Sequence, residues 1–341
     1  MSPIGERDID REVKSKHVTQ PLLEVIGLTT RFRTERGELT AVDDVSFSVA
    51  AGQTLAIVGE SGSGKSVTAM SLMRLIPNPP GRIAAGQILF EGQDLLKLSD
   101  AQMRAIRGDR IAMIFQEPMS SLNPALTVGL QVAEPLNVHR GKPWREAFEL
   151  AKELLGKVRI PDAASRLQTY PHQYSGGMRQ RTMIAMALAC SPKLIIADEP
   201  TTALDVTVQA QILDLLKALT AGTGAALILI THDLGVVARY ADHVAVMYGG
   251  RIVEQAAAAD LYANPRHPYT RGLLASIPRL DGATGARLVP IAGQPPDLAR
   301  LPAGCAFAPR CQRADAICTA QRPLLREVIP LHLSACHHDA A

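Results

Sequence analysis

Residues Gly59-Glu60-Ser61-Gly62-Ser63-Gly64-Lys65-Ser66 form a glycine-rich octet closed by a lysine and a hydroxyl. Such a loop acts through its backbone. Glycines permit the turn in which successive N–H groups point inward at phosphate oxygens, and a following helix adds the partial positive charge of its N-terminus. Lys65 supplies a full charge for β- and γ-phosphates, and Ser66 a hydroxyl for Mg²⁺. The octet follows the apolar run TLAIV and opens the helical pattern KSVTAMSLMRLI, the strand–loop–helix context that a phosphate-binding loop requires. Further on, Leu194-Ile195-Ile196-Ala197-Asp198-Glu199 is an apolar strand that ends in two acids. Both carboxylates then stand at the C-terminal edge of a sheet, where α/β proteins take their ligands. Asp198 suits a water-mediated Mg²⁺ contact, and Glu199 suits a general base that polarises an attacking water. A third stretch, YSGGMRQR at 174–181, again puts glycines ahead of a helix and reads as a second phosphate-binding turn.

Cysteines make up a separate constellation. Cys305, Cys311, Cys318 and Cys336 are spaced C-x5-C-x6-C-x17-C, whereas Cys190 stands alone in an apolar run and reads as a core side chain. Structural zinc sites bring their ligands in pairs two to four residues apart. The wider gaps are compatible with a 4Fe–4S cluster on four thiolates. Zinc, with His332, His337 or His338 as substitute ligands, is the alternative, and thiols without a metal are the third reading.

The elements that must position these groups follow from hydrophobic patterning. TLAIVG, RIAMIF, KLIIAD, AALILI and DHVAVMYGG are short apolar runs separated by helical stretches. The middle ones are apolar almost throughout, as strands buried on both faces are. The expectation is an α/β fold: a parallel P-loop (RecA-like) sheet core, with a small antiparallel β subdomain from LLEVIGLTTRFR and LTAVDDVSFSVAAGQ. Residues 117–190 break the alternation and predict an inserted helical subdomain. The boundaries expected are a flexible polar tail over 1–21, a nucleotide-binding domain over 22–255 and a C-terminal accessory extension over 256–341, where Pro, Arg, His and Cys accumulate.

Composition narrows the function classes. Aromatics at 4% give little material for stacking bases, and a net charge of +3 is too small an imbalance for a polyanion surface, so no nucleic acid is expected. No apolar run approaches the roughly 18 residues of a membrane span. The N-terminus lacks the apolar stretch of a signal peptide. An intracellular protein that reaches a membrane through a partner is expected.

Taken together, residues 22–255 resemble the ATP-binding subunit of ABC transporters. Gln116 in IFQEP matches the family's Q-loop, a Mg²⁺ and water contact. Asp205 in TALD matches the D-loop, and His232 in ITHD the switch histidine that touches the γ-phosphate. Phe32 in TTRFR falls where the family often places an aromatic under the adenine, and Val67 falls among the ATP contacts that follow the loop. YSGGMRQR matches the signature turn. In that family Ser175, Gly176 and Gly177 would close over the ATP of a second subunit, so that two chains sandwich two nucleotides head to tail. Tyr174 and Met178 depart from the usual Leu and Gln, which implies altered packing around an intact Ser-Gly-Gly.

A finer resemblance is to the oligopeptide and dipeptide importer ATPases, carried by IFQEPMSSLNP, PHQYSGGMRQR and DEPTTALDVTVQAQIL and by the C-terminal NPRHPYTRGLLASIP and GCAFAPRCQRADAIC. Some members of that branch hold an iron–sulfur cluster. The resemblance implies a peripheral ATPase on the cytoplasmic face of the cell membrane. Its partners would be two permease subunits, a second ABC ATPase subunit (a paralogue) and, indirectly, an extracytoplasmic binding protein. Docking on the permeases is expected near Gln116 to Asn123. Nickel importers share much of the pattern and remain an alternative. So does a soluble ABC ATPase outside transport, although neither a second cassette nor a long coiled coil is visible. A P-loop kinase would have no use for Ser-Gly-Gly, and a non-hydrolysing regulator none for Glu199 and His232.

Overall fold

The computed structural model describes residues 20–35, 37–117, 121–202, 204–276 and 290–338. The expected tail over 1–21 lies almost wholly outside them, and so does part of the expected docking segment.

Two sheets share one core. The antiparallel sheet runs in the order β2-β1-β4-β5, with β1 at Leu23–Thr34, β2 at Gly37–Val49, β4 at Gly81–Phe90 and β5 at Gln93–Asp94. β4 and β5 are additional to the two strands read from sequence. The larger sheet runs β11 (Arg326–Ile329), β12 (His332–Ser334), β10 (Arg251–Ala257), then β9-β3-β8-β7-β6. Its parallel part comprises β3 (Thr54–Val58), β6 (Ile111–Ile114), β7 (Leu194–Asp198), β8 (Ala226–Thr231) and β9 (His243–Tyr248). β7 and β8 are apolar throughout because each face meets a different layer. Leu194, Ile196, Ile228 and Ile230 face the core shared with the antiparallel sheet, whereas Ile195, Ala197, Leu227 and Leu229 face helices.

The helices of that cluster are chiefly Val128–Arg140, Trp144–Lys157, Gly176–Leu188 and Val206–Thr223. Thr127 caps the first through its hydroxyl, and Gly141 ends it at a φ of 63°. Gln131, buried in that helix, holds the preceding loop at both ends: its Nε2 donates to the carbonyls of Asn123 and Leu126, and its Oε1 accepts from the Asn123 N–H. A helical layer is thus tied directly to the segment that follows Gln116.

The C-terminal region does not stand apart from the cassette. β10 (Arg251–Ala257) pairs with β9 on one side and with β12 (His332–Ser334) on the other, and β11 (Arg326–Ile329) completes that edge. A buried hydrogen bond crosses this addition, His332 Nε2 lying 2.7 Å from Glu254 Oε1. Glu254 also accepts from the backbone N–H groups of Arg266 and His267. Phe307, Tyr269 and Leu261 pack under β3 and β9 in a third apolar cluster.

Candidate functional site

β3 delivers the chain into the loop at Gly59, whose φ of 153° and close passage against β9 admit no side chain: an added Cβ would lie 2.2 Å from the Met247 carbonyl oxygen. The helix Lys65–Leu72 begins from Gly64 in a left-handed conformation, and no side chain caps it. Its first-turn N–H groups are therefore open to an anion. Ser63 Oγ is buried with no hydrogen-bond partner, a second sign of a cradle shaped for an acceptor. Lys65 is buried as well, its ammonium donating to the carbonyls of Gly59 at 2.8 Å and Glu60 at 3.0 Å. Burial lowers its pKa, while the carboxylates of Glu199, Asp198 and Glu60 act in the opposite direction.

The end of β7 meets this loop. Ser66 Oγ donates to Asp198 Oδ1 at 3.0 Å, so the hydroxyl and carboxylate expected to share Mg²⁺ already touch. Burial raises the Asp198 pKa, with Glu199 adding to the rise and the Ser66 bond and Lys65 opposing it. Glu199 sits in a left-handed turn at a φ of 44°, a conformation seldom tolerated by a residue with a Cβ. Its N–H is held by the Ile230 carbonyl. One carboxylate oxygen, Oε2, accepts from Gln116 Nε2 at 3.2 Å and from Thr202 Oγ1 at 2.8 Å, and faces His232 Nδ1 at 3.4 Å. Lys65, Ser66, Asp198, Glu199, Gln116 and His232 are therefore linked in one cluster at the C-terminal edge of the parallel sheet, as general acid–base hydrolysis of a bound phosphate needs. Thr202 was not among the residues expected. Its signal was a hydroxyl three positions after the acid, within reach of it across a turn.

Other expected residues lie elsewhere. Ser175 caps the helix Gly176–Leu188, its Oγ accepting from Met178 N–H at 3.3 Å, and among the described residues it hydrogen-bonds only into its own helix. Ser175 and Gly176 are exposed, and a Cβ on Gly177 would come within 3.0 Å of Val208 Cγ1. Tyr174 is buried beneath the turn and its hydroxyl donates to the Arg166 carbonyl. Asp205 caps the helix Val206–Thr223 through the Val208 N–H. Phe32 is half-buried on β1, with its ring against Gly81 of β4. Beside Gln116, Met73, Met113, Phe115, Pro135, Met183 and Met186 line an apolar groove of about 360 Å³.

Cys305, Cys311, Cys318 and Cys336 line one pocket together with His337 and His338. None of the described cysteines is in a disulfide. Burial pushes the thiols of Cys305 and Cys318 up. His332, one of the substitute zinc ligands considered, is instead taken up by Glu254 outside this pocket. Among the described residues the compact ligand group is Asp315, Cys318 and His338, whose donor atoms lie within 4.8 Å of one another.

A family model described as ABC transporter matches residues 42–202, and one described as the C-terminal region of oligopeptide/dipeptide transporters matches residues 253–318. A putative peptide import ATP-binding protein of Brucella melitensis is 55% identical over 327 residues, covering 93% of this chain and 97% of the relative. The oligopeptide transport ATP-binding protein OppD of Salmonella typhimurium is 52% identical over 315 residues, covering 92% of this chain and 93% of the relative. Among solved structures, a dimeric ATP-binding cassette, MJ0796, in a post-hydrolysis state bound to ADP and Pi has a TM-score of 0.63 at 28% identity, and covers 69% of this chain and 98% of that one.

Proposed function

We propose, from the premise that this chain belongs to the ABC transporter family as an ATP-binding subunit, that it hydrolyses ATP to power the import of di- or oligopeptides. The peptide cargo rests on the names of its relatives, which are peptide import and oligopeptide transport proteins. The hydrolytic role rests on one observation above others: a single carboxylate oxygen of Glu199, at the edge of the loop that would hold phosphate, gathers Gln116, Thr202 and His232.

In this reading the N–H groups from Ser61 to Ser66, with Val67 behind them, bind the phosphates, and Lys65 exchanges its two carbonyl partners for phosphate oxygens. Phe32 lies under the adenine. Ser66, Gln116 and Asp198 would hold Mg²⁺, which supplies neutralisation of phosphate charge and a fixed geometry for the leaving group. Glu199 takes a proton from the attacking water, Thr202 and Gln116 orient that carboxylate, and His232 faces the γ-phosphate. The exposed Ser175-Gly176-Gly177 turn and Asp205 serve the composite interface: the turn closes over the ATP of a second subunit, a paralogue. ATP thereby favours the closed dimer, and its hydrolysis removes that preference.

Two permeases at the cytoplasmic face of the membrane receive the motion, with cargo passed on from an extracytoplasmic binding protein. Among the described residues no helix is long and apolar enough to cross a membrane, so attachment needs a docking surface. The groove around Phe115, beside Gln116 and tied to the helical layer through Gln131, has the character of one. Phe115→Glu should leave ATP turnover intact and abolish transport; full transport would refute this placement.

The thiol cluster is proposed to hold a 4Fe–4S cluster. Here four thiols line one pocket, the number of ligands that a 4Fe–4S cluster takes, and their sequence gaps are wider than the close ligand pairs of structural zinc sites. Anaerobic purification with iron analysis tests this, and colourless protein that contains zinc would overturn it. The function as a whole is tested by co-purifying the tagged chain from its native membrane. Two permeases and a second cassette are expected, and ribosomes or DNA in their place would refute it.

A further inference from the structure

Glu60 places a negative charge inside a loop that is meant to bind phosphates. Its carboxylate is matched from far away in sequence. Arg310 makes a bidentate pair with it, Nη1 to Oε2 at 2.6 Å and Nη2 to Oε1 at 3.0 Å, across 250 residues. The Arg310 side chain is 5% exposed. Its Nε donates to the Ala292 carbonyl at 2.9 Å, and it lies over the rings of Tyr248 and Phe307. Those rings pack with Tyr269 into a buried aromatic group, and the Tyr269 hydroxyl accepts the backbone N–H of Glu60 at 2.8 Å. The third polar group of Glu60, its carbonyl, accepts from Lys65. The C-terminal region thus holds two of the three polar groups of this residue, and the third holds the phosphate-binding lysine. Glu60 is also among the carboxylates that bear on the charge of Lys65.

We propose that Arg310 is a positioning residue for nucleotide binding: it holds and neutralises the Glu60 carboxylate, so that the C-terminal region sets the electrostatic potential at the phosphate loop. This rests on the reading of residues 59–66 as the nucleotide site. The bidentate fork is something a lysine would not reproduce. Without Arg310, the bare Glu60 carboxylate faces the phosphates. Two unit charges about 10 Å apart at an effective dielectric constant of about 20 change an affinity by roughly tenfold.

The test is MgADP titration of the full chain by calorimetry, using Arg310→Met, Glu60→Gln and the double variant. Arg310→Met should weaken binding about tenfold, with a steeper dependence on salt concentration. Glu60→Gln should bind as tightly as the unaltered chain or more tightly, since it leaves Arg310 unopposed. The double variant should recover most of the loss, which a merely structural lesion would not do. Arg310→Met binding like the unaltered chain, a double variant as weak as Arg310→Met, or weaker binding by Glu60→Gln would each overturn the proposal. The last comparison decides even if Arg310→Met does not fold. Failure of the unaltered chain to bind MgADP, or undiminished binding by Lys65→Ala, would instead overturn the nucleotide site itself.

Discussion

Replacing Glu199 by Gln removes one charge and one proton-accepting oxygen while keeping shape. The amide oxygen can still accept from Thr202 or Gln116, whose bonds at 2.8 and 3.2 Å hold the native carboxylate, so the turn at Glu199 should keep its place. What is lost is the base. General-base catalysis contributes roughly 10² to 10⁴ in rate, which corresponds to about 3 to 5 kcal/mol in the barrier. Nucleotide affinity should move the other way. Glu199 is one of the charges that raise the Asp198 pKa, so its neutralisation leaves Asp198 more readily ionised for Mg²⁺ and removes a negative charge that faces the phosphates. The expected behaviour of the assembled transporter is turnover reduced at least a hundredfold, with ATP retained through size-exclusion chromatography in a closed cassette dimer. Phosphate release and retained nucleotide are measured on the same preparation. Turnover within about threefold of the unaltered assembly would refute the assignment of Glu199 as base, because loss of the base alone removes about two decades or more.

Thr202→Val removes the shorter of the two hydrogen bonds that aim Glu199, and should lower kcat by roughly two- to tenfold, as loss of about 0.5–1.5 kcal/mol implies, with KM for ATP little changed. An altered KM at constant kcat would count against an orienting role. Gly59→Ala would drive a methyl to 2.2 Å from the Met247 carbonyl oxygen, and should abolish MgADP binding and lower the melting temperature by several degrees. Unchanged binding would contradict the loop geometry described. His267 is fully buried, its Nδ1 accepting the Tyr269 N–H, and burial pushes its pKa down to about 4. An unfolded histidine titrates near 6.5, so the unfolded chain takes up the proton first: stability is full above about pH 6.5 and falls as the pH drops toward 4, by up to about 3 kcal/mol. Melting curves at pH 7 and pH 5 check this. His267→Asn, which keeps a capping side chain, should flatten the slope, and an unchanged slope would refute the linkage.

The parallel strands were legible in the sequence because burial on both faces writes an unbroken apolar run, as in Leu194–Asp198 and Ala226–Thr231. The phosphate loop was legible because its chemistry is local: glycines, lysine and hydroxyl are contiguous between a strand and a helix. β4 was not, since GRIAAGQILF lacks alternation and takes its strand conformation from pairing with β1. β11 and β12 are short and become strands only through β10, about 80 residues upstream, where the Glu254–His332 pair joins them. Thr202 escaped notice because a threonine beside an acid is ordinary until the turn at Glu199 aims both side chains. The contacts of Glu60 with Tyr269 and Arg310 span 209 and 250 residues, and no local pattern encodes such a meeting. Cys190 was readable as a core side chain, and it is buried with its thiol against the Pro135 carbonyl.

The central claim is that each catalytic pocket is shared, with the phosphate loop and Glu199 on one chain and the Ser175 turn on its neighbour. ATP turnover per chain should therefore be compared between a preparation held monomeric by light scattering throughout the assay and the assembled transporter. A monomer nearly inactive beside an active assembly, with Ser175→Arg silencing the assembly while MgADP binding persists, is the outcome predicted. A monomer that hydrolyses ATP at the rate of the assembly would contradict it.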